Sequence, residues 1–271
     1  MGLFTPRPEP KIEICEYVED FENLPVFLSC NMALAEQFPA EKYNHCVKIN
    51  MEIYMKDYDG GLVSDAELAH IYTIESMISQ HIDGLFAGRG IVCSKGYAFL
   101  MYYISKKSAQ KASGIFSALL ESAFRHTDTS ILFDPRGNEY FELLYPDEYQ
   151  LKEIQTQNII SKLRKYSDDG KTPRDVKFFL TFTSKEAVVA FASEAFKSGF
   201  AYVDMVKEPV EGRVLPQFKL ILKVKMPFEA ELVNEKIRFL MKLSQKFAGE
   251  YKSVETNIVN TSQGNSQNSK Y

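Results

Sequence analysis

The sequence predicts an α+β protein in which one order of elements, β-α-β-β-α-β, is laid down twice. Three observations carry this expectation. Apolar and polar residues alternate over Val47–Met55, Val176–Phe182 and Phe218–Val224, the period of strands with one buried face. Ser64-Asp65-Ala66-Glu67 and Thr183-Ser184-Lys185-Glu186 have the spacing of a capping box, in which a hydroxyl takes a free backbone amide and the glutamate reaches back, so each opens a helix. Between the two series, Asp168-Asp169-Gly170-Lys171-Thr172-Pro173-Arg174-Asp175 gathers residues that favour turns. It closes one domain and leads into the first strand of the next.

In chain order, residues 1–11 read as a lead-in, and Ile12–Val18 and Leu24–Cys30 as short strands around an acidic turn. After the Val47–Met55 strand, Asp57–Gly61 is a plain turn, because it lacks the third acidic ligand and the distal glutamate of a calcium loop. The helix after Ser64 carries one stripe of Leu68, Ile71, Ile74, Ile78, Ile82 and Leu85, with Gly84 and Gly88 at its end. Gly88-Arg89-Gly90 is no dinucleotide fingerprint, since Cys93 stands where the third glycine belongs. A strand over Gly90–Ser94, a turn at Lys95-Gly96 and a strand Tyr97–Ile104 follow; the last is apolar on both faces, as a strand covered on both sides would be. Ser108–Arg125 reads as a helix, Ser130–Phe133 as a strand and Glu139–Tyr145 as another. Gln150–Tyr166 is a linking helix whose basic end, Lys162, Arg164 and Lys165, suits the negative end of its dipole.

The second series runs through a helix that carries Ala187, Val188, Phe191, Ala195 and Phe196 and stops at Gly199, then a strand Phe200–Val206 and a turn over Glu208–Gly212. It closes with the Phe218–Val224 strand, a helix Glu229–Ala248 with Leu232, Leu240, Leu243 and Phe247 inward, and a strand Glu250–Thr256. Each series has the order of the ferredoxin-like unit, an antiparallel sheet with both helices on one face. The expectation is therefore two tandem ferredoxin-like (βαββαβ) α/β sandwich domains, 1–149 and 150–256, followed by a polar, disordered tail, 257–271.

Composition narrows the function classes. A chain with 45% apolar and 25% charged residues folds into cores rather than staying disordered. No apolar run reaches the ~20 residues that span a bilayer, and the proline-rich start, Met1–Pro10, lacks an apolar signal core. Cys15, Cys30, Cys46 and Cys93 form no Cys-x-x-Cys pair, which points to a reducing, cytoplasmic setting rather than a disulfide framework or zinc ribbon. Residues 1–150 hold 12 Lys and Arg against 22 Asp and Glu, whereas 151–271 hold 20 against 14, so an acidic half precedes a basic one.

No nucleophile elbow, phosphate-binding glycine loop or His-Glu-x-x-His is present. His70 and His81 lie on similar sides of one helix but about 16 Å apart, too far to share a metal. The chain is expected to be no enzyme, with no catalytic residue, cofactor or metal. What remains is a surface. The sheet face left open in the second domain would carry Lys177, Phe179, Lys219, Ile221, Lys223 and Lys225, a candidate partner-binding face. RNA-recognition domains of this topology use the same two strands with basic and stacking residues, so an RNA-binding module is the alternative.

Gly170-Lys171-Thr172-Pro173-Arg174-Asp175-Val176, the strand ending at Phe182, Gly199-Phe200 and Ala248-Gly249-Glu250-Tyr251 resemble the regulator of ribonuclease E activity B (RraB-like) family over roughly 160–256. That resemblance implies a ferredoxin-like, non-catalytic domain that binds a ribonuclease and inhibits it, a protein partner and no membrane. Gly61-Leu62, Glu67, Glu75, Gly96, Tyr102-Tyr103, Asp134-Pro135 and Tyr145-Pro146 are similar to a domain-of-unknown-function family often fused ahead of that regulator domain.

Overall fold

Alternating stretches form strands and apolar stripes form helices, in two units, Met1–Pro146 and Asp147–Tyr271. The computed structural model describes residues 12–21, 24–54, 63–92, 95–112, 114, 127–209 and 217–259. The Asp57–Gly61 turn, Cys93, most of the Ser108–Arg125 helix, His126, residues 210–212 of the second turn and the tail from 260 onward lie outside the described residues.

In the first unit, β1 (Ile14–Phe21) and β2 (Leu24–Asn31) form a hairpin, and a 3-10 segment (Met32–Gln37) follows. Next come β3 (His45–Glu52), α1 (Asp65–His81), β4 (Gly84–Val92), β5 (Tyr97–Ile104), α2 (described over 106–112), β6 (Thr127–Phe133) and α3 (Asn138–Leu143). The sheet order is β1-β2-β4-β5-β3-β6, antiparallel at every pairing. One face packs Ile49, Met51, Leu100 and Tyr102 against Ile71, Ile74 and Ile78 of α1. Each of these fully buried isoleucines contributes about 1.5–3 kcal/mol of transfer free energy. The other face packs Cys46, Met101 and Tyr103 against Leu34, Tyr140 and Leu144. Both apolar faces of β5 are therefore covered, the second by the 3-10 segment and α3.

Two local expectations fail here. The helical stripe does not run to Ile82 and Leu85: α1 stops at His81, Ile82 is extended, and Leu85 belongs to β4, which starts at Gly84 rather than Gly90. A bulge falls at Ala87 inside that strand; next to it Gly88 has φ +156°, and a Cβ there would collide with the Ser29 carbonyl of β2. Glu139–Tyr145 is no strand either. The Asp134 carboxylate accepts the amides of Asn138 (2.9 Å) and Glu139 (3.0 Å) and so starts α3. Tyr140 and Leu144, four apart, are both fully buried, a helical spacing that outweighs the local strand preference. At α1, Ser64 Oγ accepts the Glu67 amide (3.2 Å), while the buried Glu67 carboxylate accepts the amide of Tyr54 (3.3 Å), which joins the helix start to the chain after β3.

The second unit comprises α4 (Glu148–Lys165), β7 (Arg174–Phe182), α5 (Lys185–Lys197), β8 (Ala201–Glu208), β9 (Gln217–Met226), α6 (Ala230–Lys246) and β10 (Gly249–Thr256). The sheet order is β10-β7-β9-β8, antiparallel throughout. Phe178, Leu180, Phe182, Leu220 and Leu222 pack against Ile160 and Leu163 of α4, Phe191 of α5 and Ile237 and Leu240 of α6. Caps differ from expectation. Asp147 and Gln150 form a reciprocal capping box, so α4 begins at Glu148. At α5 the cap is Ser184, whose hydroxyl accepts the Ala187 amide (3.1 Å); Thr183 is not the N-cap, so the expected box is displaced by one residue. The inward stripe of α6 is Val233, Ile237, Leu240, Met241 and Leu243, with Leu232 36% exposed, and Phe196 of α5 is 45% exposed.

The turn before β7 is tied by a buried ion pair. Arg174 Nη2 donates to Asp168 Oδ1 (2.7 Å) and Nη1 to Oδ2. The same carboxylate accepts the amides of Gly170 (3.0 Å) and Val259 (2.8 Å), and Arg174 also donates to the carbonyls of Thr172 and Asn257 (both 3.0 Å). Asn257 and Val259, the first residues of the stretch read as a loose tail, are thus held. Gly170, at φ +80°, bonds through its carbonyl to the Phe228 amide (2.8 Å), and a Cβ there would stand 2.6 Å from the Phe228 oxygen.

Breaking this pair leaves a buried charge without its partner, so Asp168→Asn and Arg174→Met each lower unfolding free energy by about 3–5 kcal/mol in urea titrations. Arg174 holds the Asp168 carboxyl well below the usual carboxylate range. A depressed folded value stabilises above the unfolded value near ~4 and fades as pH falls through the folded one. Stability measured against pH should therefore decline below about pH 4 in the wild type, and less steeply in Asp168→Asn.

Candidate partner-binding face

Opposed residues of an antiparallel pair point to the same side of a sheet. β7 and β9 pair Asp175 with Lys225, Lys177 with Lys223, Phe179 with Ile221 and Thr181 with Lys219. Lys177, Phe179, Lys219, Ile221, Lys223 and Lys225 therefore share the face turned away from Phe178, Leu180 and Leu222, which the helices cover. Phe179 and Ile221 are half-buried at its centre, and Lys177 and Lys225 are exposed.

The neighbouring strands change the electrostatics that the six residues suggest alone. β10 brings Glu250 opposite Thr181 and Glu255 opposite Lys177; β8 brings Asp204 opposite Ile221 and Glu208 opposite Gln217. With Asp175, five carboxylates meet the four lysines and Lys252 of β10, which pairs with Glu250, so the face is mixed rather than basic. Lys223 Nζ donates to Asp175 Oδ2 (2.9 Å) and holds that carboxyl below its ordinary range, with Lys225 and Lys177 adding to the effect. Lys219 Nζ lies 3.9 Å from Glu208 and 5.4 Å from the centre of the Phe179 ring, so a cation already sits over the one aromatic face. An apolar centre with a charged rim is the anatomy of a protein interface.

β8 borders this face as the outer strand. It is exposed at all but one position, with Tyr202 52%, Val203 37% and Val206 38% exposed, and a bulge between Tyr202 and Asp204 interrupts its pairing.

The remaining chemistry-bearing side chains do not converge. His70 is half-buried and His81 is exposed, its Nδ1 2.7 Å from the Met77 carbonyl oxygen, while His45 packs its ring on Phe133. Among the described residues, no group of three or more His, Cys, Asp or Glu is placed to hold a metal ion. Cys15, Cys30 and Cys46 are free thiols; burial pushes Cys30 and Cys46 up to about 12, so both stay protonated. No helix among the described residues is long and apolar enough to cross a membrane. Sequence reasoning passed over one cluster altogether: Arg89, inside an otherwise apolar strand, pairs with Glu75 of α1 and Glu16 of β1. A lone arginine between two glycines in a buried strand was the available signal, but its partners come from other elements and only the register unites them.

The class defined by these features is a two-unit α+β chain whose second unit presents a broad, mixed sheet face. Its two halves are similar to two families: residues 16–145 match the model of a family of unknown function (DUF695), and residues 153–256 match that of Regulator of ribonuclease activity B. The order is the one the sequence motifs imply. No curated protein matches the chain. Among solved structures, the crystal structure of an unknown protein from Galdieria sulphuraria is 15% identical, covering 80% of this chain and 100% of that one with a TM-score of 0.26.

Lys177→Ala and Lys225→Ala should leave the urea midpoint within about 0.5 kcal/mol of the wild type, because both side chains are exposed and neither substitution sets like charges opposite each other, whereas Phe179→Ala should cost about 1–2 kcal/mol of packing. Circular dichroism of the three variants, compared with the wild type, checks that binding losses on this face are not losses of fold.

Proposed function

We propose that the chain is a non-catalytic regulatory protein of the cytoplasm that acts through protein–protein contact, its second unit docking a ribonuclease and inhibiting it. The observation that carries this reading is the match of residues 153–256 to a family described as a regulator of ribonuclease activity. The face bearing Phe179 and Ile221 within a ring of both charge signs supplies a surface suited to a protein. We also read both units as ferredoxin-like. In support, β7 to β10 pair in the order fourth, first, third, second, and β3 to β6 do the same, with the β1–β2 hairpin added beside β4.

An RNA-binding role for the same face finds less support. Carboxylates stand among the lysines there, with Lys223 on Asp175 and Lys252 on Glu250, and Phe179 is the one aromatic among the six residues, with Lys219 over its ring. Phosphate recognition needs uncompensated cations, and single-strand binding needs stacking platforms.

The test is a co-purification of the tagged full chain with cytosolic ribonucleases, followed by a cleavage assay. A ribonuclease is expected to co-elute and to be slowed, and both effects are expected to drop at least tenfold with the pair Phe179→Ala and Ile221→Asp, an interface loss of about 1.4 kcal/mol or more. Direct titration with single-stranded RNA should show no salt-dependent binding. Tight RNA binding that weakens steeply with salt, without any ribonuclease recovered, would reverse the two readings.

A further inference from the structure

We propose that the first unit binds a small organic carboxylate, one with an aliphatic or aromatic body, in the cleft between α1 and the β1–β2 hairpin. The cleft encloses about 430 Å³, within the range of small-molecule sites. Its apolar lining comes from Phe27 of β2, Leu68 of α1 and Ile91 of β4.

Three strands place the polar groups in one row. Ser29 of β2 stands opposite Glu16 of β1 on one side and Arg89 of β4 on the other. Glu16 Oε1 accepts from Arg89 Nη2 at 3.0 Å, so the ion pair spans the strand between them and passes over Ser29. The Ser29 residue is 3% exposed and lines the cleft, yet its hydroxyl has no hydrogen-bond partner. A buried hydroxyl left so is costly, and such groups call for a functional explanation.

Arg89 is positioned from the opposite side. Its side chain is 9% exposed, Nη1 donates to Glu75 Oε2 at 2.9 Å, and its guanidinium lies 4.5 Å from the centre of the Tyr72 ring. Nη2 also donates to the Tyr72 hydroxyl at 3.3 Å. The donors Arg89 Nη2, Ser29 Oγ and Tyr72 Oη thus line one cleft together with its apolar side chains and the carboxylates Glu16 and Asp65, and donors beside an apolar wall are the pattern for a carboxylate with a hydrocarbon body.

Glu16 occupies the anion position. Its side chain is 66% exposed on the outer strand of the sheet, and it reaches Arg89 through a single oxygen. A ligand carboxylate has two oxygens to offer: one replaces Glu16 on Arg89, and the other accepts the Ser29 hydroxyl that Glu16 leaves unpaired. The exchange is charge for charge, so the balance around Arg89 is kept. A phosphate dianion would add a second negative charge beside Glu75 and find no second cation among the residues lining the cleft.

Saturation-transfer NMR on the full chain with 4-phenylbutyrate, 4-phenylbutyramide and 4-phenylbutylamine tests this, each at about 1–10 mM, where weak complexes populate. The acid is expected to bind and the amide and amine are not. Glu16→Gln removes the resident competitor and should tighten the acid several-fold. Ser29→Ala should weaken it about tenfold, as for a lost hydrogen bond to a charge. Arg89→Gln leaves Glu75 half-buried and unpaired and can unfold the unit, so the first two variants, checked by circular dichroism, decide. Equal binding of amide or amine, weaker binding in Glu16→Gln, or no binding of the acid at those concentrations would each overturn the proposal. None of these outcomes bears on ribonuclease docking, which is assigned to the other unit.

Discussion

The second unit depends on one buried pair. Asp168 and Arg174 lie on either side of a turn, and each bonds both to backbone of that turn and to backbone far away in sequence. Taking two charges out of water is expensive, and attraction alone seldom offsets it. Here the carboxylate accepts two amides besides the guanidinium, and the guanidinium donates to two carbonyls, so neither charge is left with bare lone pairs or protons. The outcome is positional. The end of α4, the start of β7 and the chain leaving β10 are brought to one point, and the register of the central strand pair follows from where β7 begins.

From that register comes the candidate face. Because β7 alternates strictly, one slip would exchange Phe178 and Leu180 for Lys177 and Phe179 in the core. The same constraint that buries the first pair exhibits the second. The surface properties of the second unit are therefore a by-product of how its core is anchored, and a change at Asp168 would reach Phe179 without touching it.

How much of this was legible follows from which patterns are local. The strands β3, β7 and β9 could be read because one face is buried and the period of two is unbroken, and the six residues of the candidate face came with them. β4 was misread at its start because Gly84 and Gly88 resemble helix terminators, while in the fold they permit close approach to neighbouring strands. The α3 helix was missed because six residues show too little of a helical period, and its cap, Asp134, lies four residues ahead of the helix, outside the usual cap position. The mixed charge of the sheet face was hidden for another reason: Glu250, Glu255, Asp204 and Glu208 come from strands whose pairing partners no local pattern reveals. Ser29, Arg89 and Glu16 pose the same problem in the first unit.

The bulge in β8 has a further consequence. A straight outer strand with free amides and carbonyls invites a strand from another molecule to extend the sheet. At Val203 the spacing of those groups is broken, with the charged Asp204 directly after the break and Lys207 further along the same strand. The rim of the sheet is thereby a poor template for stacking copies end to end, and crowding should not drive this unit into ribbons even though its flank is apolar in places.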